Sequence, residues 1–152
     1  VSRVSPVRNR VAVLHGVNLN MLGRRDPAQY GTLTLLELER RVTEFARELE
    51  LEVHCFQTNS EAEFVKALHE LPARADGVLL NPGAWTHYSW AIHDALEIAG
   101  LPAVEVHLSK IDEREPWRSV SVIRDLVIAC VSGAGVEGYR EALVRLSKEL
   151  DG

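Results

Sequence analysis

The sequence predicts an α/β fold: a doubly wound, five-stranded parallel sheet with helices on both faces. Three observations support this. Short apolar runs alternate with longer segments of helical periodicity along the whole chain. The run from Gly77 to Ser109 reads as a complete strand, polar turn, helix, strand unit that ends in a second polar turn. The length, 152 residues, suits one domain with a sizeable core, expected over residues 10–150 behind a frayed tail at 1–9.

Arg10 to Leu14 is the first apolar run, and His15-Gly16-Val17-Asn18-Leu19-Asn20 is too polar to continue it. Met21 to Gly31 reads as a long loop of the kind that often serves as a lid. Thr34 and Glu37 form a capping box that opens a helix to about Glu50, with Leu35, Leu38, Val42, Phe45 and Leu49 on one stripe. Leu51 to Phe56 is the second strand, and Ser60 with Glu63 a second capping box opening a helix to about Leu71. Gly77 to Leu80 is the third strand, stopped by Asn81-Pro82-Gly83. The helix from Ser89 to Ala99 ends at Gly100, where a left-handed cap is expected. Ala103 to Val106 is the fourth strand. His107 to Arg124 reads as a charged, irregular stretch with one helical turn. Leu126 to Val131 is the fifth strand, and Val136 to Leu150 the closing helix.

The common order for such a sheet is 2-1-3-4-5, with the switch point between strands one and three. Their polar ends, with that of strand four, then surround one crevice. A net charge of −5 argues against a nucleic-acid surface. No apolar run approaches the ~18 residues of a membrane span, and the first ten residues lack the apolar core of a signal peptide. Cys55 and Cys130 read as buried small hydrophobes in a reducing cytosol, and no zinc-ligand spacing is present.

Several residues in that crevice carry chemistry. Tyr30 shares a loop with Arg24 and Arg25, and a nearby guanidinium favours a phenolate. Tyr30 is accordingly either a base or a loop anchor. Strand alternation puts Glu105 and His107 on one side, so the carboxylate can orient an imidazole acid, although a histidine after a strand is also a common structural residue. Asn81, His87, Ser109 and Arg118 offer donors for a carboxylate and hydroxyls, while Thr86, His87 and Ser89 also suit plain capping. His15, His54, His69 and His93 read as surface or filler positions. Trp85, Tyr88 and Trp90 suit the core or a subunit contact.

Six collinear segments then show a resemblance. His15-Gly16-x-Asn18-Leu19-Asn20-x-Leu22-Gly23-Arg24-Arg25-Asp26-Pro27-x-x-Tyr30-Gly31 is similar to the opening motif of type II 3-dehydroquinate dehydratases. Gln57 to Glu61, Asn81 to His87, Glu105 to Ser109, Arg114-Glu115-x-x-Arg118 and Gly133-x-Gly135-x-x-Gly138-Tyr139 follow in order, over roughly residues 10 to 146. The resemblance implies a flavodoxin-like fold, no metal or cofactor, and anti elimination of water from 3-dehydroquinate through an enolate, a shikimate-pathway step in the cytoplasm. It implies Tyr30 as base, Arg25 holding the phenolate, Asn18 stabilising the enolate through a water, and His107 as acid backed by Glu105. Asn81 and the amides of Leu108 and Ser109 would hold the carboxylate, with His87 and Arg118 on ring hydroxyls. Asp94 would reach a neighbouring subunit's site, in a homo-oligomer of trimers gathered into a dodecamer.

The chain departs from that pattern at His15, Val17, Lys110, Asp112 and Ser119-Val120-Ser121, and is bulkier at Trp85, Tyr88 and Trp90. None of these is expected to touch the implied acid, base or carboxylate clamp; they bear on ring-hydroxyl specificity and assembly contacts. Lys110 and Ser119 to Ser121 motivate an alternative, a paralogue acting on a related polyhydroxylated acid such as quinate. A non-enzymatic flavodoxin-like module is a third reading. A phosphoacceptor would need acids after strand one, and a flavin binder a phosphate-cradling loop, where the chain has His15 and Asn18.

Overall fold

The structure is a computed structural model, and it describes residues 7–152; most of the tail expected at 1–9 lies outside the described residues. Five strands, β1 (Arg10–His15), β2 (Glu52–Gln57), β3 (Gly77–Asn81), β4 (Ala103–His107) and β5 (Ala129–Ser132), form one parallel sheet in the order β2-β1-β3-β4-β5. Asn9 already joins it, its carbonyl accepting from the Glu52 amide at 2.8 Å. Among the described residues there are five α-helices: α1 (Pro27–Tyr30) and α2 (Leu35–Glu48) between β1 and β2, α3 (Glu61–Glu70) between β2 and β3, α4 (Trp90–Ala99) between β3 and β4, and α5 (Val136–Asp151) after β5.

The central strands read as unbroken apolar runs because both faces are covered. Val11, Val13, Leu79, Val104 and Val106 pack with residues of α2 and α5. Ala12, Leu14, Val78, Leu80 and Ala103 pack with residues of α3 and α4 on the other face. β2 is an edge strand and alternates exposed with half-buried positions. Across the start of the sheet, Asp76 accepts from the Arg10 amide and guanidinium at 2.9 to 3.3 Å.

Helix starts follow their caps. The Thr34/Glu37 capping box is complete at α2. The one expected at α3 is half formed: Ser60 accepts from the Glu63 amide, but the Glu63 carboxylate accepts instead from the Thr58 hydroxyl at 2.6 Å. Gly100 takes φ 66° as the cap of α4. Two further elements differ from expectation. β5 starts at Ala129, not Leu126, because Leu126 and Val127 meet the core from a turn closed by the Leu126 amide on the Ile123 carbonyl. The stretch after His107 holds two 3₁₀ turns, Ile111–Glu113 and Pro116–Ser119, where one helical turn was expected.

The polar tips of β1 and β3 are held tightly together. The Gly16 amide donates to the Asn81 carbonyl at 2.7 Å, and a Cβ on Gly16 would lie 2.2 Å from the Pro82 oxygen. Only a glycine lets these two turns approach so closely.

Candidate active site

At the strand tips a cavity of about 100 Å³ is lined by Asn18, Arg25, Tyr30, Asn81, His87 and His107, with Leu108, Ser109, Arg114 and Arg118 closing its far side. A larger hollow of about 840 Å³ lies along β2 and α3, but it lacks this convergence of catalytic side chains.

The β1 turn presents Asn18 in the left-handed region at φ 69°, a conformation asparagine tolerates better than most residues. Its amide donates to Asn59 Oδ1 at 2.9 Å, and Gln57 Nε2 donates both to that oxygen and to the Gly16 carbonyl. Gln57 and Asn59 therefore fix the turn that carries Asn18. The loop after it is not featureless: Asp26 caps the short α1 by accepting from the Ala28 amide, and α1 ends on Tyr30.

Tyr30 is half-buried, and its hydroxyl receives two guanidinium hydrogen bonds, from Arg25 Nη2 at 2.8 Å and Arg114 Nη1 at 2.7 Å. The Arg25 guanidinium also lies 3.8 Å from the ring centroid. A guanidinium only donates, so the phenol oxygen acts as acceptor twice over, the arrangement that suits a phenolate. Arg24 is exposed; the second cation is Arg114, 84 residues further along the chain. Arg114 Nη1 also donates to Ser109 Oγ at 3.2 Å.

On β4, Glu105 and His107 do share a face, with His107 Nε2 2.6 Å from Glu105 Oε2. Glu105 is fully buried; its other oxygen accepts from Ser121 Oγ at 2.7 Å, with Arg124 Nε 3.8 Å away. Burial alone would raise its pKa. The His107 bond and charge, the Ser121 hydroxyl and Arg124 together outweigh burial and hold it below the usual carboxylate range. With Nε2 engaged by the carboxylate, Nδ1 is the ring nitrogen left for proton transfer.

His87 stacks near His107, with ring centroids 6.4 Å apart. Its Nδ1 lies 2.6 Å from the Val120 carbonyl, which can only accept, so Nδ1 carries the proton. Burial lowers its pKa first of all; His107 and Arg118 add to this and the Val120 carbonyl opposes it. A neutral His87 therefore offers Nε2 as an acceptor, suited to a ligand hydroxyl. Asn81 is buried; its Oδ1 accepts from the Gly83 amide at 3.0 Å and its Nδ2 donates to the Tyr139 hydroxyl at 3.5 Å. Burial pushes the Tyr139 phenol up to about 12, so it stays neutral. Arg118 stacks on Trp117 and pairs with Glu115. Three guanidiniums on one small cavity mark it for an anion.

Two expected site residues do not line this cavity: Glu105, fully buried behind His107, and Asp94. The Asp94 side chain is 71% exposed on α4 and pairs with His93 at 3.0 Å. Tyr88 and Trp90 are exposed beside it, whereas Trp85 is buried. His15, expected at the surface or as filler, is completely buried, because strand alternation turns it toward the packed face below α5, near Tyr139. Cys55 and Cys130 lie on strands but are only half-buried. Burial still pushes both thiols up to about 12. Glu105, His107 and Cys130 could together ligate a metal, yet Glu105 and His107 are already bonded to each other, and a metal there would take the site's acid.

The Dehydroquinase class II family profile matches residues 9–147. A 3-dehydroquinate dehydratase of Syntrophotalea carbinolica is 50% identical over 139 residues, 91% of this chain and 94% of that protein. One from Pelotomaculum thermopropionicum is 48% identical over 134 residues, 88% and 93% of the two chains. The crystal structure of the type II dehydroquinase from Propionibacterium acnes superposes with a TM-score of 0.88 at 41% identity, covering 95% of this chain and 99% of that one.

Proposed function

The chain belongs to the class II dehydroquinase family, and from that premise we propose how its residues eliminate water from 3-dehydroquinate. The enzyme is a hydro-lyase. Tyr30, as phenolate, removes the proton alpha to the ketone, with Arg25 and Arg114 stabilising its charge before the transfer. Asn18 supports the enolate through a water, in a site where fixed donors act without reorganising. His107 gives a proton from Nδ1 to the departing hydroxyl on the opposite face. One proton enters on Tyr30 and one leaves with water from His107, so the pair must exchange protons with solvent before the next turnover. Glu105 orients the imidazole by holding its Nε2 at 2.6 Å.

Asn81 and the amides of Leu108 and Ser109 hold the substrate carboxylate, and Arg118 and the neutral His87 bind ring hydroxyls. The observation that carries this reading is the pair of guanidinium bonds on the Tyr30 oxygen, in a cavity that His107 also lines with Glu105 bonded behind it. Val120 and Ser121, which depart from the family pattern, engage His87 and Glu105. Ser121 supports the carboxylate behind the acid, and the Val120 carbonyl fixes the tautomer of His87.

We further infer a homo-oligomer, trimers gathered into a dodecamer, in which Asp94 reaches a neighbouring site. Its exposure beside Tyr88 and Trp90 supports this. Light scattering after size exclusion tests it, and a monomer would overturn it. A cytoplasmic location follows from the shikimate pathway; among the described residues no helix is long and apolar enough to cross a membrane.

The function is tested by following enone absorbance with 3-dehydroquinate and, in parallel, loss of water from quinate by chromatography of the acids. Turnover on the first is expected, with near-complete loss in Tyr30→Phe and His107→Ala. Turnover on quinate alone, or full activity in either variant, would overturn the reading.

A further inference from the structure

Outside the catalytic cavity, three residues of different chemistry converge on the opposite side of the β1 tip. His15 projects from β1, Cys55 from β2 and Glu39 from α2, and one ligand atom from each lies within 4.8 Å of the other two. None of the three lines the catalytic cavity.

His15 carries the argument. It is 0% exposed, and among the described residues neither ring nitrogen has a hydrogen-bond partner. A buried imidazole with both nitrogens unpaired is costly and calls for an explanation. Its Nε2 stands 3.4 Å from Glu39 Oε1, long for a hydrogen bond. Around a tetrahedral metal with ~2.0–2.1 Å bonds to nitrogen and oxygen, two ligand atoms stand ~3.3–3.4 Å apart. Glu39 and Cys55 also line a groove of about 540 Å³ between α2 and β2 that opens to solvent. It provides both an entry path and a position for a fourth, water ligand.

We propose that His15 Nε2, the Glu39 carboxylate and Cys55 Sγ bind a divalent metal of borderline softness, Zn²⁺ being the best match to a nitrogen, oxygen and sulfur set. Binding forms the metal–sulfur bond and releases the thiol proton to solvent. One carboxylate and one thiolate then neutralise the dication, which suits a partly buried position. His15 Nδ1 still lacks an acceptor, so affinity should fall below that of closed four-ligand sites.

The test is a Co²⁺ titration of the chelator-treated full chain, followed by Zn²⁺ displacement. One equivalent should give intense visible bands of a tetrahedral site and an ultraviolet thiolate charge-transfer band, with one proton released per metal. Cys55→Ser should lose the charge-transfer band, and Cys130→Ser should keep it. Zn²⁺ should raise the melting temperature of wild type and of Cys130→Ser, but not of Cys55→Ser. If Cys55→Ser does not fold, Glu39→Gln, at a half-exposed position, should weaken Co²⁺ binding on the order of tenfold or more. Absence of a thiolate band in wild type, its loss in Cys130→Ser, or unchanged affinity in Glu39→Gln would each overturn the proposal.

Discussion

Replacing Glu105 by Gln tests the acid half of the site with little change of shape. The carboxylate is fully buried and 2.6 Å from His107 Nε2. Two unit charges ~4 Å apart at an effective dielectric of ~20 interact by about 4 kcal/mol, an upper figure for the loss. A charge-assisted bond contributes ~1.5–3 kcal/mol, which bounds it from below. At ~1.4 kcal/mol per decade, a loss of this size corresponds to a rate ~10–10³-fold lower. The amide can also donate to Nε2, which leaves that nitrogen unprotonated, so the Nδ1 proton would have to leave a neutral imidazole, a far weaker acid than an imidazolium. The expectation is a kcat ~10²–10³-fold lower with KM little changed, because Glu105 acts through His107 and does not bind substrate. Enone absorbance on 3-dehydroquinate gives both constants, and circular dichroism checks the fold. A Glu105→Gln enzyme within threefold of wild-type kcat would show that the carboxylate only fills the strand, and that His107 is oriented by something else.

Arg114→Lys and Arg25→Lys should each lower kcat ~10–10²-fold, since a point charge replaces a planar fork whose bond to the phenol oxygen is charge-assisted; wild-type turnover in Arg114→Lys would remove it from the base's support. Acid stability should follow Glu105 and His87, both held below their ordinary ranges. In each case the unfolded chain takes up the proton first, so stability is present above the ordinary pKa and is lost as pH falls through the folded one. Denaturant midpoints should therefore decline first below the usual histidine range and again below the usual carboxylate range, and Glu105→Gln should flatten the second decline; an unchanged second decline would mean other carboxylates dominate. Gly16→Ala should cost about 1–3 kcal/mol or more, lowering the melting temperature by roughly 3–10 °C, because its Cβ would meet the Pro82 backbone at 2.2 Å; an unchanged melting temperature would show that the two turns can part freely.

The sheet order could be read from the sequence because strands buried on both faces leave short, mainly apolar runs bounded by turns, as at Gly77 to Leu80 and, with Glu105 the one polar member, Ala103 to Val106. Local signals failed where tertiary demand reassigned a residue. Leu126 and Val127 are apolar because a turn presses them onto the core, so composition alone placed β5 three residues early. Glu63 has the spacing of a capping box, but the Thr58 hydroxyl claims its carboxylate. In the site, Tyr30 with Arg25 and Glu105 with His107 are near neighbours in sequence, and spacing found both pairs. Arg114 was visible only as a motif member, since 84 residues separate it from the phenol it supports. Ser121 stands in a segment that departs from the family pattern, and no periodicity reveals that its hydroxyl meets a buried carboxylate. His15 shows the same limit: alternation sets its face, but not the absence of partners there.

Arg114 also bears on how the two halves of the site depend on each other. Its Nη1 donates both to Tyr30 on the β1 side and to Ser109 after β4. The base therefore does not hang from its own loop alone; it is tied to the segment whose amides are proposed to hold the substrate carboxylate. A ligand that draws Ser109 toward its carboxylate acts on the same guanidinium that positions the phenol. Binding energy from a non-reacting group can in this way be spent on orienting the reacting one. A substrate lacking the carboxylate would lose turnover as well as affinity, because the base and the clamp share a side chain.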